Sequence, residues 1–296
     1  MKRLIVNADG FGFTFGNNRA ILEVLEHGFI RSVSVNVTFE AVKEVPVLAR
    51  DFPHVSIGIH LNLSNGPSLL PPGEIPSLIG AGGLFHGDDF PRMATRGNLN
   101  RDEMKREIRA QIRRLRDYGV AVTHWESHKG RHLYPGFFEA AMETTKQEGI
   151  PATRTHEFHL VLPRGWRPLR VLAYYVQHPR FAVTHSLAAH RMRILRRAGF
   201  QMPDRRLVMD AMGPDACCRP ECWQLMLETM LDGLNVIECH PGYVDDELRK
   251  YAKLLEQRER ERDLFADPHW AQRARDAGVA PVSYHALLNG EAAQGR

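Results

Sequence analysis

The sequence predicts an α/β fold, an irregular (β/α) barrel of seven or eight strands with a basic insertion late in the chain, and three observations lead there. Short β-type runs alternate with longer helical patterns along the chain. Seven or eight such βα repeats fit, a number that suits a barrel better than an open doubly wound sheet. Neither a GxGxxG nor a P-loop pattern argues for a nucleotide-binding sheet.

The first strand is expected at 4–8 and is followed by a helix over 17–27 closed by Gly28. A second strand fits 32–38, where Val33, Val35 and Val37 alternate. In a third, over 55–63, Ile57, Ile59, Leu61 and Leu63 alternate with Gly58, His60 and Asn62, so His60 faces away from the aliphatic set. Further strands are expected at 121–125, 152–154, 207–211, 234–239 and 280–284, with helices over 101–118 and 136–148 among them. Two stretches break the rhythm. Residues 64–98, rich in Gly and Pro, read as a long loop, and residues 155–206 separate the fifth and sixth predicted strands. Both are placed to rim a site. The 296 residues then form one barrel domain carrying an inserted basic and aromatic segment at 155–206.

Apolar residues make up 43% and charged residues 25%, which excludes a disordered or membrane-spanning chain. The apolar run Leu4 to Val6 is too brief for a signal-peptide core, so cytoplasmic residence is expected. Cys217, Cys218, Cys222 and Cys239 lack paired CxxC spacing and read as structural or incidental. The net charge is only +4, yet from Arg154 to Arg206 eleven arginines face two acids, Glu157 and Asp204. There Trp166, Leu169, Tyr174, Tyr175, Val176 and Phe181 interleave with the arginines. That mixture suits peripheral contact with an anionic membrane surface, and equally a basic lid that packs its apolar face on the barrel. No nucleic-acid module accompanies it, so nucleic acid is not an expected partner; a homodimer is compatible with the chain.

A parallel barrel carries its site at the carboxyl ends of the strands, and four polar clusters fall there. They are 7–12 (Asn7, Asp9, Gly10, Gly12), 60–62 (His60, Asn62), 124–132 (His124, Glu126, His128, His132) and 240–243 (His240, Tyr243). Imidazoles and a carboxylate drawn from separate strand ends can hold a divalent metal with open positions, which is the equipment for hydrolysis. Each residue also has a plainer explanation. Asp9 could bond backbone N–H groups of a Gly-rich turn, His60 could be a satisfied barrel histidine, and the spacing of His124, His128 and His132 could mark one face of a short helix. Four coincidences at four strand ends are less expected than one.

These clusters resemble the YdjC-type carbohydrate deacetylases, which include chitooligosaccharide deacetylases and hopanoid-pathway members. The family's N-A-D-D-F-G, G-x-H-x-x-L, T-H-x-D-S-H-x-H-x-H and C-H-P-G-Y motifs have counterparts at 7–12, 58–63, 123–132 and 239–243, the last followed by Asp245, Asp246 and Glu247. The resemblance implies removal of an N-acetyl group from an amino sugar, free or carried on a lipid, with a divalent ion, Mg or Zn. It implies His60 and His128 as metal ligands, Asp9 as general base, and His240 as acid or orienting partner. Arg154, at a strand end where the family tends to carry arginine, would contact substrate or a carboxylate; Asn62, His132 and Tyr243 are assigned to the substrate. The chain departs from the family at Gly10, where the second acid of the pair is absent, at Glu126 in place of Asp, and at Gly130 in place of the middle histidine. Glu126 is the candidate replacement ligand. The alternative is a non-catalytic glycan- or lipid-binding barrel that lost its metal ligand at Gly10.

Overall fold

Among the described residues every strand pairing is parallel, so the strand carboxyl ends all lie on one rim. The computed structural model describes residues 1–165 and 168–289. Its strands are β1 (Lys2–Phe11), β2 (Ser32–Val35), β3 (Ser56–Leu61), β4 (His124–Ser127), β5 (Ala152–Thr153), β6 (Phe158–Leu160), β7 (Arg205–Val208), β8 (Gly233–Cys239) and β9 (Val279–Val282). The order is β5-β4-β3-β2-β1-β8-β7-β6, and β9 joins β1 at Lys2 to Ile5. Eight parallel strands thus curl into a half-barrel, the predicted irregular α/β barrel left open between β5 and β6.

Register sorts the side chains. Asn7 lies opposite Ser32 and Glu238, Asp9 opposite Ser34, and His60 opposite Glu126, so these polar residues share the inner face. The alternate residues Val6, Ala8, Val33, Val35, Ile59 and Trp125 belong to the main hydrophobic core beneath the helices. Ile5, Leu234, Val236 and Tyr284 form a second apolar cluster, packed at the amino-terminal end of the same strands. Tyr284 stacks on His124 with centroids 3.7 Å apart. A Cβ on Gly58 would lie 2.3 Å from His124 Nε2, so β3 needs glycine beside that stacked pair.

The loop at 64–98 folds into short 3-10 turns and a helix, Phe90–Thr95, anchored by buried Ile75, Leu78, Phe85 and Phe90. Helix Arg101–Asp117 supports it: Glu103 accepts from Ser77 N–H at 2.8 Å, and Glu107 accepts from Leu69 and Leu70 N–H at 3.0 Å each. Buried carboxylates there satisfy backbone donors that a long irregular loop would otherwise strand.

The segment at 155–206 differs from the expected insertion because it also supplies a barrel strand, β6. Three residues with His159 at their centre are too short to show an alternating pattern. Helices Pro168–Gln177 and Pro179–Arg197 follow, and Tyr175, Phe181 and His185 gather against one another, with His185 and Phe181 on Phe158 at 4.9 and 6.1 Å. Trp166 lies outside the described residues. Among those described, no helix is long and apolar enough to cross a membrane.

Candidate metal and catalytic site

The carboxyl ends of the strands open on a cavity of about 790 Å³, whose lining includes Asp9, His60, Glu126, His128, Arg154 and His240. Asp9 is only 4% exposed, yet four hydrogen bonds from three residues hold it. Arg154 grips both carboxylate oxygens, with Nη1 2.8 Å from Oδ2 and Nη2 on Oδ1. Asn7 Nδ2 and Ser34 Oγ donate to Oδ1 at 2.6 and 3.2 Å, positions set by the β1–β2 register. Burial opposes the charge of Asp9, but the Arg154 guanidinium, with His60 and His240 in support, holds its carboxyl well below the usual range. Its Oδ2 carries fewer contacts and lies 3.9 Å from His240 Nε2, whose side chain is 30% exposed.

Arg154 also reaches Glu126 Oε2 at 3.3 Å and Glu238 Oε2 at 4.0 Å, so one buried cation ties together three carboxylates from β1, β4 and β8. Burial works against its charge, but Asp9, Glu126 and Glu238 raise its pKa well above the ordinary value. Arg206 of β7 pairs with Glu238 in turn, touches His156 at 3.1 Å and lies over the Phe158 ring at 5.1 Å.

His60 presents two different edges. Its Nδ1 contacts Glu126 Oε1, and its Nε2 faces His128 Nδ1 at 3.3 Å. Burial disfavours its protonation, but the Glu126 carboxylate outweighs that and raises the pKa. His128 is driven the other way by burial and by His60, and stays neutral. Two imidazole nitrogens each about 2.1 Å from a shared ion lie roughly 3.3 Å apart when they subtend about 100°. The facing nitrogens therefore fit a divalent ion, with Glu126 behind His60 in the carboxylate–histidine arrangement that fixes a metal-bound imidazole. A second grouping is available, since Asp9, His60 and Glu126 offer ligand atoms all within 4.8 Å of one another. The carboxylate contact of His60 in that group is through Nδ1, so the two arrangements use opposite edges of the ring.

The remaining residues assigned to the substrate fall elsewhere. Asn62 is fully buried and its amide holds a loop, donating to Asn65 O at 2.6 Å and Thr38 Oγ1 at 3.0 Å. Tyr243 donates to Glu23 at 2.7 Å and lies under the guanidinium groups of Arg19 and Arg262. His132 is fully buried, with Nδ1 on Ser127 Oγ at 2.7 Å; burial and Arg154 push its pKa down to about 3. None of the three lines the cavity. Gly10 does line it, and a Cβ there would meet nothing closer than 3.9 Å, although its φ of +92° strains any side chain. Ser34, Arg206 and Glu238 were missed in the sequence. For Glu238 a signal existed, a charged residue inside the apolar strand that leads to His240.

A family model described as YdjC-like protein matches residues 3–276. The carbohydrate deacetylase of Thermoanaerobacter pseudethanolicus is 26% identical over 287 residues, spanning 97% of this chain and 100% of that protein. The chitooligosaccharide deacetylase of Enterobacter sp. (strain 638) is 36% identical over 150 residues, 50% of this chain and 58% of that protein. The crystal structure of a proposed cellobiose-phosphate cleavage protein from Enterococcus faecalis V583 covers 97% of this chain and 98% of its own, with a TM-score of 0.73 at 21% identity, a likeness of fold.

Proposed function

Because the chain belongs to the YdjC-like family, we propose that it is a metal-dependent hydrolase that removes the N-acetyl group from an amino sugar of the chitooligosaccharide type. The observation that carries this reading is the His60 Nε2 to His128 Nδ1 pairing at 3.3 Å in the cavity that also holds Asp9. We assign the ion, Mg or Zn, to those two nitrogens, with Glu126 orienting His60. Gly10 adds no ligand, which leaves the other positions to water and substrate. When bound, the ion supplies Lewis-acid polarisation of the acyl oxygen and a more acidic water.

The chain's own groups do the rest. Asp9 is kept ionised by Arg154, and its Oδ2 is the oxygen placed to take the proton of the attacking water. As the oxygen–carbon bond forms and the carbon–nitrogen bond breaks, the leaving amine needs a proton. His240, beside Oδ2 and partly exposed to the cavity, is the group to give it. Acetate and the free amino sugar are the products. Purified protein supplied with N-acetylated chitooligosaccharides and Mg, Zn or Co is expected to release acetate. Binding of the sugars with no release by any ion would instead favour the non-catalytic barrel.

A lipid-carried amino sugar is a second reading, favoured by the exposed Leu169, Leu172, Val176, Val183 and Leu187, the last of which also lines the cavity. Such a stripe beside a basic surface suits an anionic bilayer. Flotation with vesicles containing acidic lipid, lost on Leu172→Ser with Val176→Ser, supports this reading; failure to float with any vesicle removes it.

A further inference from the structure

We infer that Cys217, Cys218 and Glu261 form a second metal site, selective for a thiophilic divalent ion and separate from the His60–His128 pair. The three residues offer ligand atoms within 4.8 Å of one another. The two Sγ atoms are 3.7 Å apart. Thiolates about 2.3 Å from a zinc ion at the tetrahedral angle lie roughly 3.8 Å apart, so the pair already has the bite a small soft ion needs. Glu261, 4% exposed, comes from helix Glu256–Phe265 and completes the group. Cys218 is buried, while Cys217 is partly exposed and gives the ion a way in.

The chemistry selects the ion. Two sulfurs and one carboxylate favour Zn²⁺ or Cd²⁺ over the hard, oxygen-seeking Mg²⁺, and leave a fourth position for water. Burial first, then the Glu261 carboxylate, pushes both thiols above their ordinary pKa, so the ion-free pair is protonated and unreactive. Entry of the ion therefore displaces two protons to solvent, one from each sulfur, with no change of oxidation state.

Glu261 has a second task. Its Oε2 accepts the backbone N–H of His240, the residue at the end of β8 that faces Asp9. An ion that draws on Glu261 competes with that hydrogen bond, so filling the thiol site reaches the turn that carries His240.

The test is a titration of the metal-free full-length protein with Cd²⁺ alone, read by the ultraviolet charge-transfer absorption of cadmium thiolate and by proton release. One equivalent is expected to produce the band and release two protons. The band is expected to persist in the His60→Ala, His128→Ala double variant, which separates this site from the proposed deacetylase centre. Cys217→Ser with Cys218→Ser should abolish it, and Glu261→Gln should weaken binding at least tenfold. If the serine variant fails to fold, ¹¹³Cd resonance of the unmodified protein decides, since a two-sulfur set resonates far downfield of a nitrogen and oxygen set. No thiolate band in the unmodified protein, or a band that survives loss of both cysteines, overturns the inference.

Discussion

Replacing Arg154 with methionine removes the cation from the centre of the site. Asp9 would lose its bidentate partner and Glu126 its 3.3 Å contact, while Asp9 stays 4% exposed. Breaking a buried ion pair from one side costs about 3–5 kcal/mol, a large part of a domain's total stability. The cost should also depend on pH. In the parent, Asp9 titrates below its unfolded value, so its contribution is fully present above about pH 4 and is lost only as pH falls through the depressed folded pKa. In the variant the order reverses, because burial, the largest influence on Asp9, then acts against only the two histidines and the Asn7 and Ser34 hydrogen bonds. The folded variant would bind a proton that its unfolded chain releases, and would lose stability as pH rises through that interval. The gap between parent and variant should therefore widen between about pH 5 and pH 8. Urea unfolding with chelator present, followed by circular dichroism at both pH values, measures it. A gap below about 1 kcal/mol, or one equal at the two pH values, refutes the reasoning.

Glu126→Gln should keep the ion but weaken its affinity by about 10–100-fold, as loss of an orienting partner does, whereas His128→Ala should abolish stoichiometric binding at the His60 centre; isothermal titration with Zn²⁺ in the Cys217→Ser, Cys218→Ser background compares them. Asp9→Asn should leave metal binding within a few-fold of the parent and lower the acetate-release rate about 10²–10⁴-fold, measured as kcat. Gly10→Asp should tighten metal binding at least tenfold by restoring a carboxylate where a Cβ has room, at a stability cost of about 1–3 kcal/mol for a side chain at φ +92°, read from chelator competition and from urea unfolding. Gly58→Ala should destabilise the apoprotein by about 3 kcal/mol or more, because His124 is pinned on Tyr284 and cannot yield; a thermal midpoint near that of the parent contradicts this.

The sequence made the barrel legible because alternation is a property of each strand alone. Val33 and Val35 against Ser32 and Ser34, and Ile57 and Ile59 against Gly58 and His60, announce two faces before any pairing is known. It could not show which strands meet, and that decides the site. Glu126 contacts His60 because β3 and β4 pair in one register, and Arg154 reaches Asp9 across 145 residues of chain. β6 escaped notice because three residues carry no period, and Asn62 read as a binding residue because strand position says nothing of whether an amide is already occupied by its own loop. The cysteines were passed over for a related reason. Adjacent thiols lack a familiar spacing, and only the fold brings Glu261 to them.

Anomalous diffraction from zinc-loaded crystals tests the central claim most directly, because it locates the ion against the two edges of His60. A peak bonded to His60 Nε2 and His128 Nδ1 is expected, with Glu126 Oε1 remaining on Nδ1. A peak among Asp9, Glu126 and the Nδ1 edge, or no peak in the cavity at all, contradicts it.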